Sequence, residues 1–424
     1  MNEEVKLFGA RAENGRWVYV ILGLIINLCL GSVYAYSIFK GPVEKTFNVS
    51  ATLGNLPFMI FLAFFAVTMF FGGKIMEKLG PRKQIIIGGI IVGLGWMLSS
   101  VASNIWMLIL TYGVIAGSGV GLVYGCPVAM GARWFPDKKG LAVGLMLAGF
   151  GGSALITGKL ANSMIPAVGL ASTFLYFGIT FTIVLVVLGI PYKFPVAGWK
   201  PAGWAPSAAA ASVVDLSGSQ IIKTPVFWGL FICFLIGSLS GLMAIGISKP
   251  VGSEIIKLAG EVAATLVGIF AIFNAVGRPL FGWITDKFAP RGAVVLNLAI
   301  VLISSVLMLS AGDGSTGLYV VAFAGFWLCL GGWLAIAPTA TAMFFGVKNV
   351  ARNYGVVFFA YGLGAILGGI VSGKAKDIYG SYTEAFYITA ALAAIGIVLS
   401  LILIKPIAKA PECCCQESAT PCQK

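Results

Sequence analysis

GKIMEKLGPRK at 73–83 and GWITDKFAPR at 282–291 are one turn written twice. Glu77 answers to Asp286, Lys78 to Lys287, Gly80 to Ala289, Pro81 to Pro290 and Arg82 to Arg291, each pair 209 positions apart. A constant offset of that length makes the chain a tandem of two similar halves. Each copy of the turn joins two apolar runs. Working outward, the runs number twelve: 17–40, 54–73, 84–103, 107–130, 141–163, 168–192, 225–249, 262–284, 292–311, 317–340, 355–374 and 383–404. Each is close to the roughly 20 residues that cross a hydrocarbon core. With 59% hydrophobic and 10% charged residues and a mean hydropathy of +0.97, a soluble domain is excluded.

The sequence therefore predicts an all-α membrane protein, with twelve transmembrane helices in two six-helix bundles. Residues 1–192 form the N-terminal bundle, 193–223 a cytoplasmic linker, 224–404 the C-terminal bundle and 405–424 a cytoplasmic tail. The first run is too long for a signal-peptide core and lacks a cleavage site, so it is the first membrane helix. The formal charge of +13 does not point to nucleic acid, because the basic residues sit in short connections. Of 28 Lys and Arg, the tails and even-numbered connections carry 20 and the odd-numbered connections 7. Positive charge collects on the cytoplasmic side, which puts both termini in the cytoplasm.

Other chemistries are set aside by what the chain contains. It has no histidine, so imidazole ligands, imidazole proton shuttles and Ser-His or Cys-His nucleophiles are impossible. No phosphate-binding G-x-x-x-x-G-K-[ST] motif occurs. Small residues recur every fourth position at Gly113, Gly117, Gly121 and Gly125, at Gly140, Gly144, Ala148 and Gly152, and at Gly364 and Gly368. Inside apolar helices these read as packing stripes. Cys29, Cys126, Cys233 and Cys329 fall in spans, and Cys413, Cys414, Cys415 and Cys422 in the tail, with no disulfide framework. No metal, cofactor or enzymatic activity is expected.

One residue stands against the apolar background. Arg278, in FAIFNAVGRPLFG at 270–282, is the one cation well inside a span. Burying it costs from about 3 to more than 10 kcal/mol, so it faces a cavity and pairs with something. The 15 Asp and Glu residues fall in tails, connections or span ends, so the simplest counter-ion is the substrate, the alternative being backbone carbonyls or a lower position near Asp286. Asn274 lies one turn earlier on the same face and can orient the guanidinium or bind an oxygen. Guanidinium grips a planar carboxylate through two parallel hydrogen bonds. Tyr34, Tyr36, Tyr124 and Tyr361 lie within spans, away from the interfacial belts where tyrosine collects.

The duplicated turn and the six-plus-six organisation resemble the major facilitator superfamily. That resemblance implies a central cavity with alternating access by rocking of the halves. It places conformational gating at the turns, on Glu77, Arg82, Asp286 and Arg291, with Arg133 of the 4–5 connection. GLVYG at 121–125, ARWFPDKKG at 132–140, Arg278-Pro279 and ARNYG at 351–355 are similar to the oxalate/formate antiporter family. That family includes proton-coupled monocarboxylate carriers and shares its fold with animal monocarboxylate transporters. In the oxalate carrier, the arginine matching Arg278 and a lysine of helix 11 hold the two carboxylates, near tyrosines matching Tyr34 and Tyr124. Here the lysine position is Tyr361, and two further cage tyrosines are matched by Phe150 and Leu334. One cation suits a monoanion. The resemblance thus implies a monomeric secondary transporter in the inner (plasma) membrane, moving a small monocarboxylate such as L-lactate, pyruvate or formate with a proton. An oxalate/formate-type exchanger is the alternative.

Overall fold

The computed structural model describes residues 6–196, 199–201, 216, 218–346 and 350–405. Most of the expected linker and the tail with its four cysteines lie outside these. A short hairpin pairs Lys6–Leu7 with Ala10–Arg11, and the elements after it are helical. Among the described residues, nine helical runs are long and apolar enough to cross a membrane. Three are double: Ala51–Ser99, Lys139–Gly189 and Gly260–Leu309 break at Gly80, Gly169 and Ala289. A straight helix of that length would reach roughly 70 Å against a core of about 30 Å. Gln84 instead donates to the Gly72 carbonyl, twelve residues back, at 3.0 Å, so the chain reverses at Gly80. Nine runs with three reversals make the twelve spans.

The repeated turn explains two of the reversals. Gly80 has φ 75 and ψ 165, and Ala289, its match, φ 60 and ψ 161. This conformation is nearly closed to residues other than glycine. A proline follows each, where its fixed φ opens the returning helix and its missing N–H costs nothing.

Span 1 is longer than its apolar core. It runs as Ala12–Leu30, a 3-10 turn at Gly31–Ala35, and Tyr36–Phe47. Span 4 combines Ile105–Leu108, a π-helical stretch Ile109–Ala116 and Gly117–Trp134. Spans 7, 10, 11 and 12 are Pro225–Glu254, Thr316–Phe345, Val350–Tyr379 and Thr383–Leu403.

Part of the glycine stripes lies where backbones meet, while Gly125 and Gly144 of the same stripes face open space. A Cβ at Gly117 would strike the Phe61 backbone, one at Gly121 the backbone of Phe65 and Met69, and one at Gly368 the Leu239 carbonyl. Spans 2 and 4, and spans 7 and 11, thus pack backbone to backbone. The two halves meet along spans 2 and 11, with Gly373 on Thr52, Gly369 on Met59 and Gly362 on Ala63. They meet again along spans 5 and 8, where Gly151 faces Asn274 and Gly268 faces Leu155.

Candidate functional site

The 3-10 turn in span 1 is the first positioning device. Gly31 sits so close to the backbone of Phe150 in span 5 that any Cβ would collide with it. The tightened turn carries Tyr34 onto the Phe150 ring, edge to face with centroids 5.1 Å apart. Tyr124 of span 4 meets the same ring at 5.3 Å and Phe65 of span 2 stacks on it at 5.8 Å. From the other half, the Tyr361 hydroxyl meets that of Tyr34 at 2.8 Å. Phe358 stacks under Tyr361 at 4.8 Å, and Trp327 closes on Tyr34 at 6.1 Å.

Arg278 is the charge in this aromatic cage. It is 4% exposed, and its Cζ lies 5.7 Å from the centre of the Phe150 ring. Its Nη2 donates to Asn274 Oδ1 at 3.4 Å. Among the described residues, Nε and Nη1 have no hydrogen-bond partner. The Tyr124 hydroxyl lies near the guanidinium, outside hydrogen-bond geometry, and Tyr34, Tyr354 and Tyr361 are within its electrostatic reach. Ion pairs between described residues include Arg16–Asp137, Lys40–Glu44 and Lys376–Glu254. None involves Arg278. A buried donor left unmatched costs about 1–3 kcal/mol, and more when charged.

Asn274 is fully buried, and both ends of its amide are engaged. Nδ2 donates to the Trp327 carbonyl at 3.0 Å while Oδ1 receives Arg278. A Cβ at Gly331 would hit its backbone carbonyl. Asn274 thus ties span 8 to span 10 and sets the tilt of the guanidinium. Tyr36 stands apart from the cage, donating to the Gly54 carbonyl at 2.6 Å and stacking on Phe58. Leu334 is buried in span 10.

Among the described residues, no hydrogen bond or ion pair joins the five residues placed at the gates to the other half. Glu77, Arg82, Asp286 and Arg291 are exposed and make no ion pair among the described residues. Arg133 lies over the Phe194 ring at 3.9 Å.

Sequence reasoning passed over Phe65, Trp327, Tyr354 and Phe358. An aromatic in an apolar span gives the same hydropathy whether it faces lipid or cavity. The available signal was the spacing of Tyr354, Phe358 and Tyr361, four and three residues apart on one face of span 11. Lys40, at the end of the first span, is 0% exposed.

Two bundles of six helices, with the buried Arg278 guanidinium in an aromatic cage between them, define a multi-pass membrane protein. The chain belongs to the major facilitator superfamily, whose profile matches residues 20–343 and 241–412, and the proteins of that family are transporters. Over 412 residues it is 29% identical to the oxalate:formate antiporter of Oxalobacter formigenes, covering 95% of this chain and 96% of that protein. It is 26% identical to monocarboxylate transporter 13 of Bos taurus, covering 78% and 76%. Among solved structures it is similar in fold to a bacterial homologue of the human lysosomal transporter Spinster, with a TM-score of 0.67, 15% identity and coverage of 92% and 95%.

Proposed function

We propose that this protein is a secondary transporter of a small monocarboxylate, L-lactate, pyruvate or a close relative, working by alternating access in the inner (plasma) membrane with both termini cytoplasmic. The observation that carries the reading is the pairing of one buried Arg278, two of its donors unmatched, with Tyr361 on the facing span. Nε or Nη1, together with the second N–H of Nη2, can take one carboxylate through two parallel hydrogen bonds. A second carboxylate would lie against the hydroxyl pair of Tyr34 and Tyr361 and the rings of Phe65 and Phe358, where no cation offsets its desolvation. A methyl or methylene suits those rings.

The proton in this reading crosses on the substrate or in step with it, because the cage contains no carboxyl or imidazole. Exchange is the second reading, favoured by the same unmatched donors. A carrier that strands a buried cation whenever it lacks an anion reorients best when loaded. The relatives divide the same way, one an oxalate:formate antiporter and another a monocarboxylate transporter.

The test is uptake of labelled L-lactate by reconstituted protein, with oxalate and formate as competitors and with or without internal anion. Uptake that follows a pH gradient, ignores oxalate and needs no preloaded anion supports symport of a monoanion. Obligatory preloading turns the reading to exchange, and strong oxalate competition ends the one-cation argument. Tyr361→Lys supplies a second cation and is expected to raise oxalate affinity at least tenfold, measured by the same competition.

A further inference from the structure

Among the described residues, the polar contacts joining spans of one half to spans of the other are unevenly placed. Tyr34 and Tyr361 meet at the centre. The rest lie on the face of the odd-numbered connections. There Lys40 Nζ donates to the Tyr382 hydroxyl at 2.6 Å, Asn55 Nδ2 to Ser372 Oγ at 3.2 Å and Lys249 Nζ to Asn162 Oδ1 at 2.9 Å. Asp377 accepts from the backbone amides of Ala51 at 2.9 Å and Thr52 at 3.2 Å.

The Asp377 contact differs in kind from its neighbours. A helix leaves its first four amides without an acceptor inside the helix. At the start of span 2, Ser50 supplies two acceptors, its Oγ to Leu53 N at 3.4 Å and its carbonyl to Gly54 N at 2.8 Å. The amides of Ala51 and Thr52 are satisfied from the other half of the molecule. Gly373, one turn before Asp377, makes this possible: a Cβ there would press on the Thr52 backbone. The carboxylate also meets the positive end of the span 2 helix.

We propose that Asp377 is a latch that completes the cap of span 2 from span 11 and holds the odd-connection face shut. Opening that face removes the cap and hands both amides to water. Such an exchange of one hydrogen bond for another has a small net cost, which suits a contact made and broken in every cycle. The span 2 helix stays intact while the latch is undone, because Ser50 keeps its own two bonds.

The latch is tested by access to Met59, which is fully buried against Gly369 on the opposite half. In a folded, monodisperse background with the native cysteines replaced, Met59→Cys is labelled with a hydrophilic maleimide in proteoliposomes. Asp377→Ala is expected to speed labelling at least about fivefold. Asp377→Asn keeps the shape but turns one acceptor into a donor, and is expected to give a smaller rise. Unchanged labelling in both variants would overturn the proposal, as would unchanged labelling in Asp377→Asn alone should Asp377→Ala fail to fold. The readout needs no substrate, so it stands apart from the identity of the transported anion.

Discussion

At Arg278 two demands meet, because the guanidinium must be held still without being neutralised. Asn274 supplies the first by giving one oxygen to Nη2 and its amide to the Trp327 carbonyl, and among the described residues no carboxylate pairs with the guanidinium to spoil the second. Arg278→Ala is expected to raise the dissociation constant for L-lactate about 100-fold, the loss of two charge-assisted bonds of about 1.5–3 kcal/mol each less what water recovers. Arg278→Lys keeps the charge and loses the fork, so it should recover only part of that affinity in equilibrium binding. Tyr34 and Tyr361 share one hydrogen bond. Tyr34→Phe and Tyr361→Phe should each raise KM severalfold, with the double variant clearly short of the product of the two, since coupled partners are not additive. Strict additivity would place the two hydroxyls in separate roles.

Among the elements, the repeated turn carries the sharpest prediction. Gly80 and Ala289 hold the same positive-φ conformation, yet only one of them is a glycine. Residues other than glycine cost on the order of 1–3 kcal/mol there. Ala289→Gly is therefore expected to raise the apparent melting temperature in detergent and Gly80→Ala to lower it, measured by the same thermal ramp. The opposite ordering would mean that the turn is set by its loop contacts. The turn was legible in the sequence because glycine and proline declare backbone geometry directly. The 3-10 turn at Gly31–Ala35 was not, because it arises from the close approach of Gly31 to the Phe150 backbone in another span. The exposed state of Glu77, Arg82, Asp286 and Arg291 was equally hidden, since sequence spacing says nothing about which face is open.

The whole molecule is polar at its edges and apolar within, and its charges act mainly at the connections. Arg16, 5% exposed, binds both oxygens of Asp137 at 2.6 and 2.8 Å and donates to the Trp134 carbonyl at 2.9 Å. These bonds hold the Asp137 carboxyl below the usual carboxylate range. A depressed carboxyl stabilises the fold above its unfolded value, near pH 4, and loses that contribution as pH falls through the lower folded value. The melting temperature of wild type should therefore exceed that of Asp137→Asn by a constant margin above the ordinary carboxylate range, and the margin should narrow as pH falls through and below that range. A margin that stays open in acid would assign the effect to packing.

What the sequence determined by itself is what depends on one residue type or one period. Run lengths, the 209-residue repeat, the glycine stripes and the lone arginine gave twelve helices, two halves and a charged centre, because bilayer thickness and backbone hydrogen bonding leave a chain of this composition few other choices. What the tertiary structure alone decided is what depends on direction. It showed that Tyr34 faces Tyr361 while Tyr36 turns to Gly54, that Lys40 is sealed between the halves, and that Asp377 caps a helix it does not belong to. In a helix with apolar residues on every side, periodicity does not distinguish the lipid-facing side from the buried one, so only the packing of one span on the next assigns each polar side chain its partner.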